Sequence, residues 1–349
     1  MKIEYGSNFE FYKTKQIKES IKFHKSVIYY GSGRYAISEL IKHYVGLGDW
    51  KRIFVPDYYC MDVVHTISKT GINIINYQDN PTIFDDQENI SKMCFKDGDV
   101  LLRINFFGLR SFRSNDKIKI PVIEDHTHGL FSDWALSSDA DWCFSSIRKS
   151  LPVADGGILW SPTNNTINIE TKHTTKEHHE LVKNRYSAMK IKSQYFLNKN
   201  PASKNKYLQL FKETEESFTN NPSSLISQGT LTLLNKIPLN IDDSKRLNFK
   251  YLLPKLDQHY YKVLIPESDQ TAFSLVIILE SQSIRDDLRS YLIKNNIYPA
   301  IFWKLNKNIS SDQSLMVSNR ILSIHIDFRY NFYDLDTMCK ILNSYNLQY

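Results

Sequence analysis

The sequence predicts an α/β fold: a large domain with a mostly parallel, mixed sheet covered by helices, and then a smaller α+β domain. Three observations lead there. Four apolar runs of strand length, residues 100–107 (VLLRINFF), 120–124 (IPVIE), 141–146 (DWCFSS) and 157–160 (GILW), do not alternate with polar residues, as in strands buried on both faces. Earlier in the chain, strand-like runs alternate with stretches of helical spacing, the rhythm of a sheet layered with helices. A polar passage, residues 163–222, rich in Lys, Asn and Thr, then separates this part from a second α+β rhythm.

Taken in order, residues 34–44 place Ile37, Leu40, Ile41 and Tyr44 on one helical face. RIFVPDYY, residues 52–59, reads as a buried strand ended by Pro56. A helix over 60–69 and a strand over 72–77 follow, then the four apolar runs. Residues 163–222 read as one or two helices with loops. The tail gives a helix near 242–256, strands at 273–280, 298–303 and 320–326, and helices at 284–295 and 335–345. The expected division is 1–235 for the large domain and 236–349 for the small one.

Composition narrows the function classes. With 349 residues, 42% hydrophobic and 13% aromatic, the chain can bury a sizeable core and is not a disordered one. Its net charge of +6 is spread among mixed acids and bases, which suits anionic small substrates and gives no nucleic-acid footprint. Cys60, Cys94, Cys143 and Cys339 lie far apart with no C-x-x-C pair, so neither a zinc ribbon nor a redox motif is expected, and reduced thiols in the cytoplasm are. MKIEYGSNFEFYKTK lacks the apolar stretch of a signal peptide, and no apolar run approaches the ~18 residues of a membrane span. The expectation is a cytoplasmic protein without membrane insertion.

Three segments carry chemistry. Gly31-Ser32-Gly33-Arg34 opens a predicted helix, where free N–H groups and the helix dipole suit a phosphate; a plain helix start capped by Ser32 explains it as well. It is no dinucleotide fingerprint, for no clear strand of the right kind precedes it and a third glycine in register is lacking. In PVIEDHTHG, residues 121–129, Asp125 ends a buried strand, where open α/β sheets bind ligands, and could hold a positive group; alternatively it caps the next turn. His126 and His128 flank no further metal-ligand motif, so no metal is expected, and His178 and His179 read as surface residues. In FSSIRKSLPVADGG, residues 144–157, Lys149 beside Arg148 follows a strand. Partial burial and the like charge would depress its amine pKa, as a carbonyl-binding lysine requires; the other reading is a surface Lys–Arg pair before a turn. Gly156-Gly157 would let backbone approach a ligand closely.

Together and in this order, the segments resemble the DegT/StrS-like sugar aminotransferases, a family of fold-type I pyridoxal-phosphate enzymes. SGRYAISEL stands where that family has its phosphate-binding Ser-Gly-Thr turn, VPDYYC where it has V-P-x-x-[TY], and INFFG at its [YF]-G strand end. VIEDHTH matches V-I-E-D-x-[AS]-[QH], and residues 144–157 match F-S-…-K-x-x-x-x-x-[ED]-G-G with Lys149 and Gly156-Gly157 in register. The resemblance covers most of the chain. It implies pyridoxal 5'-phosphate as cofactor and Lys149 as the catalytic residue that carries it and moves a proton. It implies Asp125 on the ring nitrogen and His128, where Gln is frequent, on the phenolic oxygen. The turn at Gly33, with the N–H groups of Arg34 and Tyr35 and the hydroxyl of Ser145, would take the phosphate. Tyr58 or Tyr59 would border the ring. The segment before Lys149 is one residue short of the common version, leaving Ser145 and Ser146 as alternatives, and Arg34 replaces the usual Thr. Arg329 reads as a structural ion-pair residue in preference to a donor-carboxylate ligand. The implied reaction moves an amino group from an amino acid, glutamate or glutamine, to a nucleotide-linked keto-sugar, in a homodimer with interfacial sites and toward cell-surface polysaccharide or glycoconjugates. Sugar dehydration is a weaker alternative because its enzymes replace the lysine by histidine. A non-catalytic binding protein on the same fold is the alternative from another class.

Overall fold

A seven-stranded mixed sheet organises the first part of the computed structural model, which describes residues 4–345 except 15, 25, 169, 170, 172, 268 and 269. The chain enters through β1 (Tyr5–Gly6) and β2 (Ile28–Tyr30), and α1 (Gly33–Leu47) follows directly. Then come β3 (Arg52–Pro56), α2 (Met61–Ser68), β4 (Asn73–Tyr77), α3 (Gln87–Ser91), β5 (Asp99–Ile104), β6 (Val122–Asp125), α4 (Asp133–Ser137), β7 (Trp142–Ser145) and β8 (Gly157–Trp160). The strand order is β2-β8-β7-β6-β5-β3-β4, parallel from β7 through β4 and antiparallel where β8 joins β7 and β2. Every residue of β5, β6, β7 and β8 is buried, which is why these runs do not alternate.

Helix α1 buries Tyr35, Ala36, Ile37, Leu40 and Ile41. Ser32 caps it by accepting the Tyr35 N–H at 3.2 Å, and Gly48 ends it in the left-handed conformation at φ 80°. The strand β2 lies just before this turn, but it is not of the dinucleotide-binding kind. Being antiparallel to β8, it forms no parallel crossover unit of the dinucleotide type.

The polar passage becomes two long helices packed on each other, α5 (Lys176–Asn198) and α6 (Pro201–Asn220), followed by α7 (Gln228–Leu234). The tail holds α8 (Asp243–Leu252), β9 (Tyr261–Val263), β10 (Leu275–Leu279), α9 (Gln282–Lys294), β11 (Ile297–Tyr298), α10 (Asp312–Arg320), β12 (Ile321–Ile324) and α11 (Phe332–Asn343). Strands β12-β10-β9 form an antiparallel sheet, while β11 pairs in parallel with β1. The expected strand over 298–303 is therefore a correction: only Ile297 and Tyr298 pair as a strand, and residues 301–303 leave it for the cavity described next. Residues 346–349, the end of the expected second domain, lie outside the described residues. Among the described residues no helix is long and apolar enough to cross a membrane.

Candidate active site

Strands β3, β5, β6 and β7 end on one edge of the sheet, and the chain leaves them into a cavity of about 290 Å³. The sheet order reverses between β3 and β5, so the cavity lies at the topological switch point where α/β sheets bind ligands. Tyr59 and Cys60 enter it from behind β3, Asn105 from β5, Asp125, Thr127 and His128 from β6, and Ser146, Arg148 and Lys149 from β7.

Lys149 closes a short 3-10 turn, Ile147–Lys149, and points its amine into the cavity wall. Burial, then the positive charges of Arg148 and Arg34, push that amine down to about 8 against the opposing pull of Glu215 and Cys60. Asp125 accepts the Tyr59 hydroxyl at 2.6 Å and the Thr127 N–H at 2.8 Å. Both donors are neutral, and burial still raises the carboxyl above its ordinary range. Among the described residues no lysine or arginine pairs with this carboxylate, and only the charge of His126 acts on it in the opposite sense.

His128 stacks on Phe273 at 4.4 Å, Phe107 at 5.2 Å and Trp303 at 5.3 Å. Burial, with Lys149, Lys245 and His325 nearby, lowers its imidazole to about 3, so it is neutral at physiological pH. Ile301, Phe302 and Trp303 reach this aromatic wall from beyond β11. Sequence reasoning missed them by reading NIYPAIFW as strand alone; three large apolar residues ahead of Lys304, with no alternation, were the available signal.

The other end of the cavity is cationic. Arg34 and Arg148 donate to Glu215 Oε1 at 2.8 and 2.7 Å, and Arg185 reaches Oε2 at 3.5 Å. The Phe218 ring lies under all three guanidinium groups, at 5.8, 4.5 and 5.6 Å. Burial pushes the Glu215 carboxyl up, but Arg148, Lys149, Arg185 and Arg34 outweigh it and hold it well below the usual range. Burial and then Arg148 bring Arg185 down to about 9. Arg148 Nε has no hydrogen-bond partner among the described residues. Arg185 and Glu215 come from α5 and α6, inside the polar passage, where no motif singles them out.

Of the residues singled out in the sequence, Gly33, Arg34, Tyr59, Asp125, His128 and Lys149 line this one cavity. Tyr35, Tyr58 and Ser145 do not. The Tyr35 N–H is taken by the Ser32 cap, the Tyr58 hydroxyl donates to the Phe302 carbonyl, and the Ser145 hydroxyl turns to the His126 carbonyl at 3.4 Å. Of the two serines it is Ser146 that lines the cavity, because the pleat turns Ser145 inward. The glycine pair also acts differently: a side chain at Gly157 would stand 2.2 Å from the Ser32 carbonyl carbon, so its bareness seats the turn before α1 and not a ligand.

Three further readings change or sharpen. His178 is buried, not a surface residue; its Nε2 lies 2.9 Å from Asp155, which also accepts from Ser227, while His179 is exposed. Glu124, His126 and Cys143 converge closely enough to suggest a metal; Glu124 accepts from His126, Asn115 and Ser138, while His126 Nδ1 has no partner among the described residues. Arg329 is held by Asp327 at 2.8 and 2.7 Å, which gives it a structural role.

No protein-family model matches this sequence, and no curated protein matches it by sequence. By structure the chain is similar to Helicobacter pylori PseC, an aminotransferase involved in pseudoaminic acid biosynthesis, over 97% of this chain and 98% of that one, with a TM-score of 0.61 at 11% identity. It is also similar to NtdA from Bacillus subtilis with bound cofactor PMP, over 90% and 72% of the two chains, TM-score 0.59 at 15% identity. A third likeness is to E. coli GDP-4-keto-6-deoxy-D-mannose-3-dehydratase with bound hydrated PLP, over 91% and 87%, TM-score 0.57 at 13% identity. At these identities the likeness establishes the fold, which is that of the fold-type I pyridoxal-phosphate transferases, with its mostly parallel mixed sheet.

Proposed function

We propose that this chain is a pyridoxal 5'-phosphate-dependent aminotransferase, with an amino acid as donor and a keto-sugar, nucleotide-linked, as acceptor. The observation that carries the reading is the one cavity that Lys149, Asp125, Arg34 and Arg148 line together. The residues present fit the cofactor: a buried carboxylate held by neutral donors at one end, an amine of lowered pKa, and at the other a guanidinium whose Nε has no partner among the described residues. Lys149 would hold it covalently, Asp125 would pair with its ring nitrogen, and Gly33, Arg34, Arg148 and Ser146 would take its phosphate. When bound, the cofactor supplies an electron sink for the carbon that exchanges its amino group.

The chain's own residues supply the rest. With an amine near 8, Lys149 exchanges its proton at Nζ close to physiological pH, as a general acid and base must. The neutral His128 offers one ring N–H, held in place by its stacking partners. Phe107, Phe302 and Trp303 exclude water from that face. The roles of PseC in pseudoaminic acid biosynthesis and of the E. coli dehydratase on a GDP-keto-sugar support a sugar setting, and PMP bound to NtdA supports the cofactor. We further read residues 1–235 and 236–349 as its two domains, the working form as a homodimer, and the cytoplasm as its location.

Adding pyridoxal 5'-phosphate to purified protein tests this reading. A visible absorbance band is expected that Lys149→Ala lacks, and glutamate should bleach it. A band that no amino acid affects would mark a passive binder, and no band at millimolar cofactor would end the proposal.

A further inference from the structure

We propose that Arg34 and Arg148, with Arg185 behind them, form a clamp for a dianion, and that Glu215 is its resident stand-in, displaced when a phosphate monoester binds. The inference rests on the cavity being the cofactor site, and adds to it how the anion is admitted.

Charge is the first argument. Three guanidinium groups meet the Glu215 carboxylate, Asp62 touches Arg34 at 3.5 Å from a mostly exposed position, and Asp155 acts on Arg185 from further away. The three bases and the two acids that touch them leave one positive charge, and Lys149 beside them adds a second when protonated, which calls for an anion of about the charge of a phosphate monoester, −1.5 to −2. Accessibility is the second. The Arg34, Arg148 and Arg185 side chains are 7, 4 and 5% exposed, whereas Glu215 is 37% exposed. The cations are fixed by burial and by the Phe218 ring beneath them, and the carboxylate, which lines the cavity, is the most exposed of the four and the one an entering anion meets. Geometry is the third. Arg148 keeps an unpartnered Nε although it is buried and lines the cavity, so one carboxylate does not satisfy the clamp. A tetrahedral phosphate has oxygens enough for Arg34 and Arg148 together, and the first turn of α1, at Gly33 and Arg34, borders the same space. Binding is then an exchange of one anion for another, and Glu215 sets its strength by competing.

Titration of the full chain with inorganic phosphate, followed by calorimetry, tests the exchange. Glu215→Gln should bind phosphate about tenfold more tightly than the parent, the worth of one charge-assisted hydrogen bond no longer broken on entry. Equal or weaker binding overturns the proposal. Should that variant fail to fold, Arg148→Gln in the parent should weaken phosphate by about tenfold or more; unchanged affinity would overturn it equally. Pyridoxal, which lacks the phosphate, separates this inference from the one beneath it. If pyridoxal and pyridoxal 5'-phosphate give no Lys149-dependent absorbance while Glu215→Gln still tightens phosphate, the clamp stands without the cofactor reading. If the absorbance forms and phosphate affinity ignores residue 215, the cofactor reading stands without the clamp.

Discussion

Two buried charge clusters on either side of the sheet edge differ in one respect. Behind β5, Arg103 and Arg110 meet Asp86 and Asp79 in paired contacts, at 3.0 and 2.7 Å for the first pair and 3.0 and 2.5 Å for the second. Asn115 and the carbonyls of Ile83, Ile104 and Arg113 complete the donors' needs. Two acids balance two bases, all of them buried. Burial would lower both guanidinium pKa values, yet the acids outweigh it and raise them. At Glu215 one acid faces three bases, and Arg185 falls to about 9 because burial and Arg148 prevail. The first cluster is complete within the chain and serves the fold; the second is short of negative charge and waits for it from outside.

The contrast breaks most visibly at Asp86. Asp86→Asn leaves Arg103 charged, buried and without its carboxylate, a change expected to cost about 3–5 kcal/mol in urea unfolding. Adding phosphate should recover none of this, because the loss is internal. A cost under about 1 kcal/mol would mean that the pair does not hold the fold together.

The second cluster should respond to phosphate instead. At a hundredfold excess over its Kd, inorganic phosphate should stabilise the parent chain by about 2.7 kcal/mol, read as a rise in Tm. Asp86→Asn should show the same increment, and Arg148→Gln should lose it. An increment that survives Arg148→Gln would place the phosphate elsewhere.

How much of this could be read from the residues follows from how local each signal is. Asp125, His128 and Lys149 stand in short segments at strand ends, and such segments announce themselves by apolar runs and fixed spacing. The strands that carry them were legible for the same reason, within a residue or two at most ends. Glu215 and Arg185 are helix residues in a polar passage, and only the packing of α5 on α6 brings them to Arg148. Trp303 arrives from nearly the far end of the chain. His178 shows the limit in another way: it neighbours His179 in a polar stretch, and burial of just one of them depends on Asp155, which is distant in sequence. Short elements such as β2 and β9, three residues each, carry too little pattern to be seen alone.

Gly157 joins the two readings of the glycine pair. Its added Cβ would meet the backbone of Ser32 at 2.2 Å and Gly33 N at 2.4 Å, and backbone cannot swing aside as a side-chain tip does. Gly157→Ala should therefore cost about 1–3 kcal/mol by overpacking. It should also weaken phosphate, since the displaced turn carries Gly33 and Arg34 away from Arg148. Stability lost with phosphate affinity intact would show that the turn takes no part in the clamp.

The smallest effect is the most direct measure of the charge surplus. Lys149 reacts with an aldehyde only as the neutral amine, so its rate with pyridoxal should rise through a midpoint near 8, against an ordinary lysine near 10.5. Below that midpoint the amine is protonated and slow; above it the rate should level off. Arg148 lowers this pKa and Glu215 raises it. Arg148→Gln should accordingly move the midpoint upward and Glu215→Gln downward, two opposite shifts from neutralising two groups that touch each other. Using pyridoxal in place of its phosphate keeps anion binding out of the rate, so the shifts report the field at Nζ alone. Shifts of the same sign in both variants would mean that altered packing, and not charge, sets the amine, and the distinction between a balanced and an unbalanced cluster would lose its chemical consequence.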